Sequence, residues 1–186
     1  MDGFVILWIV AGLAVFWSVG AHNRLVRLRS QAIAAFAVVD DHFTKYVALV
    51  RSNAYLMNDS GLAELIPRPA DGLAHVWSGL DGALTQFEVA LKMTSQRPLD
   101  AGAMGALQTA YSTLRTSWER LQNEPPDLAG HRLPEVLQQE WSRISLLVAS
   151  VSTDFNRLVR AYNEAITQFP ASLLARLFGF KPARAL

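Results

Sequence analysis

Carboxylates and imidazoles on inward helix faces are what a helical protein would use to hold metal, and di-metal carboxylate bundles do so with Glu-x-x-His pairs. Here Glu64, Glu88, Glu119, Glu124, Glu135, Glu140 and Glu164 all lack a histidine three residues on. His22, His42, His75 and His131 are scattered along the chain. Only Asp40-Asp41-His42 and the i,i+4 pair Asp71/His75 join a carboxylate to an imidazole, and a solvated helix face accounts for both. Nucleophilic chemistry fares no better. There is no G-x-S-x-G elbow and no H-E-x-x-H, and Ser145, Ser150 and Ser152 fall on a helix whose inward positions are apolar. The glycines are dispersed, so no loop is built to cradle phosphate. Cysteine is absent, which removes thiolate catalysis, disulfides and Cys-based zinc sites. The sequence predicts no catalytic, cofactor-binding or metal-binding residue, and a protein that is not an enzyme.

The polar groups that remain invite a different reading. Arg24, Arg27 and Arg29 crowd together near the amino terminus, and Arg176, Lys181 and Arg184 near the other end. They are candidates for a basic collar facing anionic lipid headgroups, each worth about 1 kcal/mol near such a surface. Asn156, Arg160, Tyr162, Asn163, Phe169 and Pro170 are candidates for partner contact or for specifying the fold. A net charge of +1 in 186 residues, with no aromatics interleaved among the basic residues, argues against nucleic acid.

The elements that must position these groups are read from hydrophobic spacing. Gly3 to Ala21 carries no charge over nineteen residues, with Trp8 and Trp17 toward its ends. At the helical rise this spans about 28 Å, close to the hydrocarbon thickness of a bilayer. A cleaved signal peptide is the alternative, with Val19-Gly20-Ala21 as its cleavage site, but Met1-Asp2 offers no basic leader. Asp2 before the span and three arginines after it predict an external amino terminus and a cytoplasmic remainder. A periplasmic body is the alternative placement.

No turn signal follows the span, so the helix is expected to continue to Met57 with Leu25, Leu28, Ala32, Phe36, Val39, Phe43, Tyr46, Val50, Ala54 and Met57 on one side. Asn58-Asp59-Ser60-Gly61 should end it, and Pro67 and Pro69 limit Leu62 to Ala70 to a single helical turn. A second helix is predicted from Asp71, its N-cap, to Gln96, with Leu73, Trp77, Leu80, Leu84, Phe87 and Leu91 inward. A third runs from Asp100 to Asn123, with Leu107, Tyr111, Leu114, Trp118 and Leu121 inward, before EPPDLAGHRL breaks the pattern. The last is the longest. From Pro134 to Pro170, Leu137, Trp141, Ile144, Val148, Val151, Phe155, Leu158, Tyr162, Ala165 and Phe169 step by four and three without a slip.

The predicted fold is all-α: a transmembrane helix (residues 1–21), an antiparallel up-down four-helix bundle (22–170) and a short amphipathic tail (171–186). Equal lengths for the first and last bundle helices return the carboxyl end to the lipid surface. There Leu173, Leu174, Leu177, Phe178 and Phe180 either lie in the interface or fold back to plug the bundle.

The end of the chain carries a further pattern. Phe155-Asn156, Leu158-Val159, Ala161-Tyr162-Asn163, Ala165-Ile166, Phe169-Pro170, Ala175 and Phe178-Gly179-Phe180 resemble the carboxyl terminus of the LemA family. Asn23, Leu25-Val26, Leu28-Arg29 and Val39-Asp40 resemble its juxtamembrane segment, and Leu137-Gln138 with Glu140 its L-Q-x-E. The segment HFTKYVALVRSN after Asp41, and Ile144 to Leu147, depart from it. The resemblance implies a divergent member: a bacterial inner-membrane protein with one amino-terminal span and a four-helix bundle, from a family with no established enzymatic activity.

Two functions follow as expectations. One is a non-catalytic interaction or scaffold protein held on the bilayer, with a protein partner. The other is direct lipid sensing or membrane shaping through the tail and the basic collar. A metal- or ligand-binding bundle is a third reading with no residue set behind it.

Overall fold

The computed structural model describes residues 2–58, 73–123 and 134–186. The expected turn around Asp59-Ser60-Gly61, the single helical turn at 62–66, the Asp71 cap and the break at 124–133 with His131 lie outside them. Among the described residues the chain is all-helical, with five helices and no strand: α1 (Asp2–Asn58), α2 (Leu73–Gln96), α3 (Ala101–Asn123), α4 (Glu135–Thr167) and α5 (Ala171–Leu177).

α1 runs without interruption from its apolar start into the packed body, as the absence of a turn signal requires. Nothing within the protein covers its most apolar window. Its one hydroxyl there, Ser18 Oγ, donates to Ala14 O at 2.7 Å, so the hydroxyl is satisfied within the helix. From Leu25 onward the character changes. Leu25, Ala32, Phe36, Val39, Phe43, Tyr46 and Val50 are all buried, on the predicted side of the helix.

α4 lies along α1 in the opposite sense, since Tyr46 meets Trp141 (centroids 4.4 Å apart) while Phe36 meets Phe155 (5.6 Å) further down. α2 opposes α1 likewise: Arg51 pairs with Asp81 and Glu88, Phe43 packs edge-on against Phe87 at 5.1 Å, and Ser95 donates to Asp40. α2 and α3 form a tight hairpin. Thr94, the one buried polar residue of the core, donates to Ala90 O and reaches across to Ala103 O at 3.0 Å. The Asp100 carboxylate accepts the Ala103 N–H at 2.8 Å, capping α3. α3 and α4 meet through the stacked pair Trp118 and Trp141, with centroids 4.1 Å apart and planes 9° from parallel.

The α4 seam corrects the sequence reading at its far end. Leu137, Trp141, Ile144, Val148, Phe155, Tyr162 and Ala165 are buried as expected, and Val151 and Leu158 pack on the core half-buried, but Val159 and Ile166 are buried beside them and Phe169 is not. A straight helix drifts about 20° per heptad from a 3.5-residue repeat, so over several turns the inward face moves to the next residue. α4 ends at Thr167, and Phe169 stands 81% exposed beyond it. The Phe169–Pro170 peptide is cis.

α5 closes as its sequence suggests. Gly179 has φ +70°, a left-handed conformation that glycine adopts at little cost. It lets Phe180 N–H reach Ala175 O at 2.8 Å and Gly179 N–H reach Arg176 O, the Schellman pattern that turns the chain sharply back.

Candidate functional site: the tail clamp and the basic junction

After Gly179 the chain does not leave the body but runs back along α4. Asn163 holds Ala183 at both ends of its main chain: Nδ2–H donates to Ala183 O at 2.7 Å, and Oδ1 accepts Ala183 N–H at 2.9 Å. Two helical turns earlier Asn156 does the same for Leu186, at 2.9 and 2.7 Å. Between them Tyr162 Oη donates to Lys181 O at 2.9 Å. A carboxamide has one donor edge and one acceptor edge, so it can replace the partner strand that an extended segment would otherwise need. Ala183 is buried, and Phe180, Ala185 and Leu186 pack on the core.

The other candidates sort by location. Arg24, Arg27 and Arg29 are exposed on α1 just past the apolar segment, and Arg176 and Lys181 are exposed on and after α5. Arg184 is turned elsewhere. Its Nη2–H donates to Gln108 Oε1 on α3 at 2.9 Å, and its guanidinium covers Gly105, where a Cβ would stand 2.9 Å from Nη1. Arg160 is exposed, with Nε–H reaching only its own helix at Asn156 O. Pro170 is half-buried at the start of α5. His22 joins the two chain ends, with its ring 4.6 Å from Phe178 and 5.9 Å from Phe180.

Of the histidine–carboxylate pairs, Asp40-Asp41-His42 is described, while Asp71 of the Asp71/His75 pair lies outside the described residues. His42 Nδ1 sits 2.8 Å from Val38 O and 3.8 Å from Asp41, whose closer partner is Lys45 at 2.7 Å. His75 is exposed. Among the described residues no three His, Cys, Asp or Glu side chains come together as a metal site would need.

Besides Thr94, the described interior carries phenols. Tyr46 Oη bonds Ser145 Oγ at 2.6 Å and lies 3.5 Å from Tyr111 Oη. Burial pushes the Tyr46 phenol well above its ordinary value near 10. Burial also raises Tyr162, against the pull of Arg29. Above about pH 10 an unfolded tyrosine loses its proton while these two keep theirs, so the unfolded state binds fewer protons and stability falls as pH rises. Urea midpoints should therefore decline from about pH 10 upward. Tyr46→Phe should flatten that decline while costing about 1 kcal/mol at neutral pH for the lost hydrogen bond. An unchanged alkaline slope in the variant would show that Tyr46 is not its source.

Nothing in the residue pattern announced Gln108 or Gly105 as neighbours of the tail. The signal that was present is the spacing Phe180, Ala183, Leu186, an inward residue every third position, which is the period of a polyproline-II-like chain and not the three–four stepping of an α-helix.

A long apolar helix running unbroken into an all-helical body, with the carboxyl-terminal segment strapped back onto the last long helix, defines the class of protein. The LemA family profile matches residues 83–186, more than half of the sequence and including both clamp asparagines, and the chain belongs to that family. No curated protein and no solved structure matches it.

Proposed function

We propose that this chain is a membrane-anchored, non-catalytic interaction protein: an up-down-up-down four-helix bundle held at the cytoplasmic face of the bacterial inner membrane by residues 1–21. The observation that carries this reading is α1 itself. One helix presents an uncovered apolar surface in its first turns and a buried seam from Leu25 to Val50, so anchor and body form one piece. The arginines at 24, 27 and 29 support the inward orientation.

Because the chain has no cysteine, single-cysteine variants report cleanly. Ser78→Cys, on exposed surface of α2, should react with an impermeant maleimide only after the cells are opened. Labelling in intact cells would place the body outside. Crosslinking from the same position in native membranes should give a discrete adduct with a protein partner. An adduct-free result with several crosslinker lengths would count against an interaction role.

A second reading, direct contact of the tail with lipid, is favoured by one specific feature. α5 packs through Ala175 and leaves Leu173, Leu177 and Phe178 exposed at 59, 76 and 56%, beside Phe169 and next to the start of the body at His22. Arg24, Arg27, Arg29, Arg176 and Lys181 flank this apolar foot. The full chain carrying a fluorophore at Leu177→Cys should be quenched by shallow spin-labelled lipid in nanodiscs. Quenching should strengthen with anionic lipid and weaken on charge reversal at Arg176 and Lys181. An unquenched probe would remove the foot.

A further inference from the structure

The small net charge hides a strong polarity. Residues 40–164 hold eleven of the 17 Lys and Arg but fifteen of the 16 Asp and Glu, a net of −4. The six other basic residues all lie near the junction of rod and body, and no Asp or Glu occurs between Gly3 and Val39 or between Ala165 and Leu186. In the body the cations are answered. Lys45 pairs with Asp41, Arg51 with Asp81 and Glu88, Arg115 with Glu119, Arg143 with Glu140 and Arg157 with Asp154. Among the described residues no carboxylate pairs with Arg24, Arg27, Arg29, Arg176 or Lys181.

These five are not equivalent. At about 100° per residue, Arg24 and Arg27 stand roughly 140° and 160° round α1 from Arg29, on the far flank. Arg29 instead shares a face with His22, two turns and about 10.5 Å along the helix. His22 is where the turn of the tail touches α1, through Phe178 and Phe180. Lys181 follows that turn directly. Its carbonyl accepts the Tyr162 hydroxyl, and the Arg29 charge acts on the same phenol. Two exposed cations from different elements therefore flank one spot beside Tyr162. The height also fits. Arg29 stands about 12 Å past Ala21 by the helical rise, helix side chains lean toward the amino terminus, and a long stem reaches down to a headgroup layer about 5–8 Å deep.

We infer that Arg29 and Lys181 form a binding site for the phosphate of one anionic membrane lipid, seated where α1 meets the turn of the tail. Arg24 and Arg27 supply only diffuse attraction from the other flank. The Arg29 fork takes two phosphate oxygens and the Lys181 ammonium a third, all by charge-assisted hydrogen bonds. The acyl chains run down over Phe178 and Leu177, which are exposed there. This deepens the lipid reading above and rests on it.

The test uses the full chain in micelles doped with dioleoyl phosphatidylglycerol. Dioleoyl phosphatidylcholine, which carries a phosphate but no net charge, is the control. Native mass spectrometry should show one phosphatidylglycerol retained per chain, roughly tenfold tighter than phosphatidylcholine. Arg29→Gln and Lys181→Gln should each weaken retention about tenfold or more, the effect of losing a hydrogen bond between charged groups. Arg24→Gln and Arg27→Gln should change it less than about twofold, as screened charges do. Both side chains of the site are exposed and Lys181 serves the clamp through its carbonyl, so the fold should persist, which circular dichroism melts check. Equal weakening by all four variants, or no preference between the two lipids, would overturn the site. So would full displacement of the lipid by millimolar inorganic phosphate, which would make this a site for soluble phosphate. If the site falls while the Leu177→Cys probe is still quenched, the tail touches lipid without a discrete headgroup site and the lipid reading stands.

Discussion

Truncating Phe43 to alanine should destabilise the body by about 3–5 kcal/mol, the range for removing a large aromatic from a packed core. Phe43 is fully buried, edge-on to Phe87 and 4.9 Å from Tyr111, so it joins α1 to both members of the α2–α3 hairpin. Two sources add. The side chain loses its transfer free energy, and the ring contacts contribute roughly 0.5–1.5 kcal/mol each beyond buried area. Tyr46, one of the neighbouring aromatics, is held in place by its bond to Ser145 and is not free to fill the space. Phe43→Leu, which keeps most of the volume, should cost well under half as much. The check is a pair of urea titrations read by tryptophan fluorescence, since Trp118 and Trp141 are stacked in the same core. Equal losses for the two variants would mean that the ring contacts, which both variants lose, and not volume set the effect.

Asn163→Ala should cost about 2–4 kcal/mol and, unlike Phe43→Ala, should act first on one segment. Two hydrogen bonds disappear together, and they leave a donor and an acceptor of the buried Ala183 with nothing to pair with. An unmet buried group costs more than a typical bond contributes, which is why the estimate exceeds the sum of two ordinary bonds. Asn163→Asp keeps the acceptor for Ala183 N–H and loses the donor, so it should fall between alanine and wild type. Asn156→Ala should be milder, because Leu186 is only half-buried. Amide hydrogen exchange is the decisive measurement. Residues 180–186 should lose protection while α2 and α3 keep theirs. Uniform loss across the helices would mean that the clamp is inseparable from the global fold.

Much of this architecture was legible in the residue pattern, and the exceptions have physical causes. Every described α1 position expected inward from Leu25 to Val50 is buried or packed on the core, because a long amphipathic helix fixes its own face by periodicity alone. α4 was legible until small angular drift accumulated, at which point Val159 became buried beside the half-buried Leu158 and Phe169 left the seam altogether. Thr94 was not read as core, since nothing local announces that a threonine will bridge to a carbonyl nine residues away. The clamp was half legible. Asn156 and Asn163 stood out as polar residues near an apolar seam, yet what they bind is main chain, which carries no sequence label. Arg184 illustrates the same limit. Its charge grouped it with Arg176 and Lys181, while the turn at Gly179 sends it to Gln108 on α3.

The unbroken α1 has a mechanical consequence. In the proposed placement Tyr46, level with Tyr111 on α3, stands roughly 38 Å along the axis from Ala21, a fixed height set by the helical rise. No swivel separates rod from head, so any lean the bilayer imposes on the rod to match its own thickness is passed whole to the head. Local membrane thickness would thereby steer which way the head points, and only partners reaching that elevation would find it.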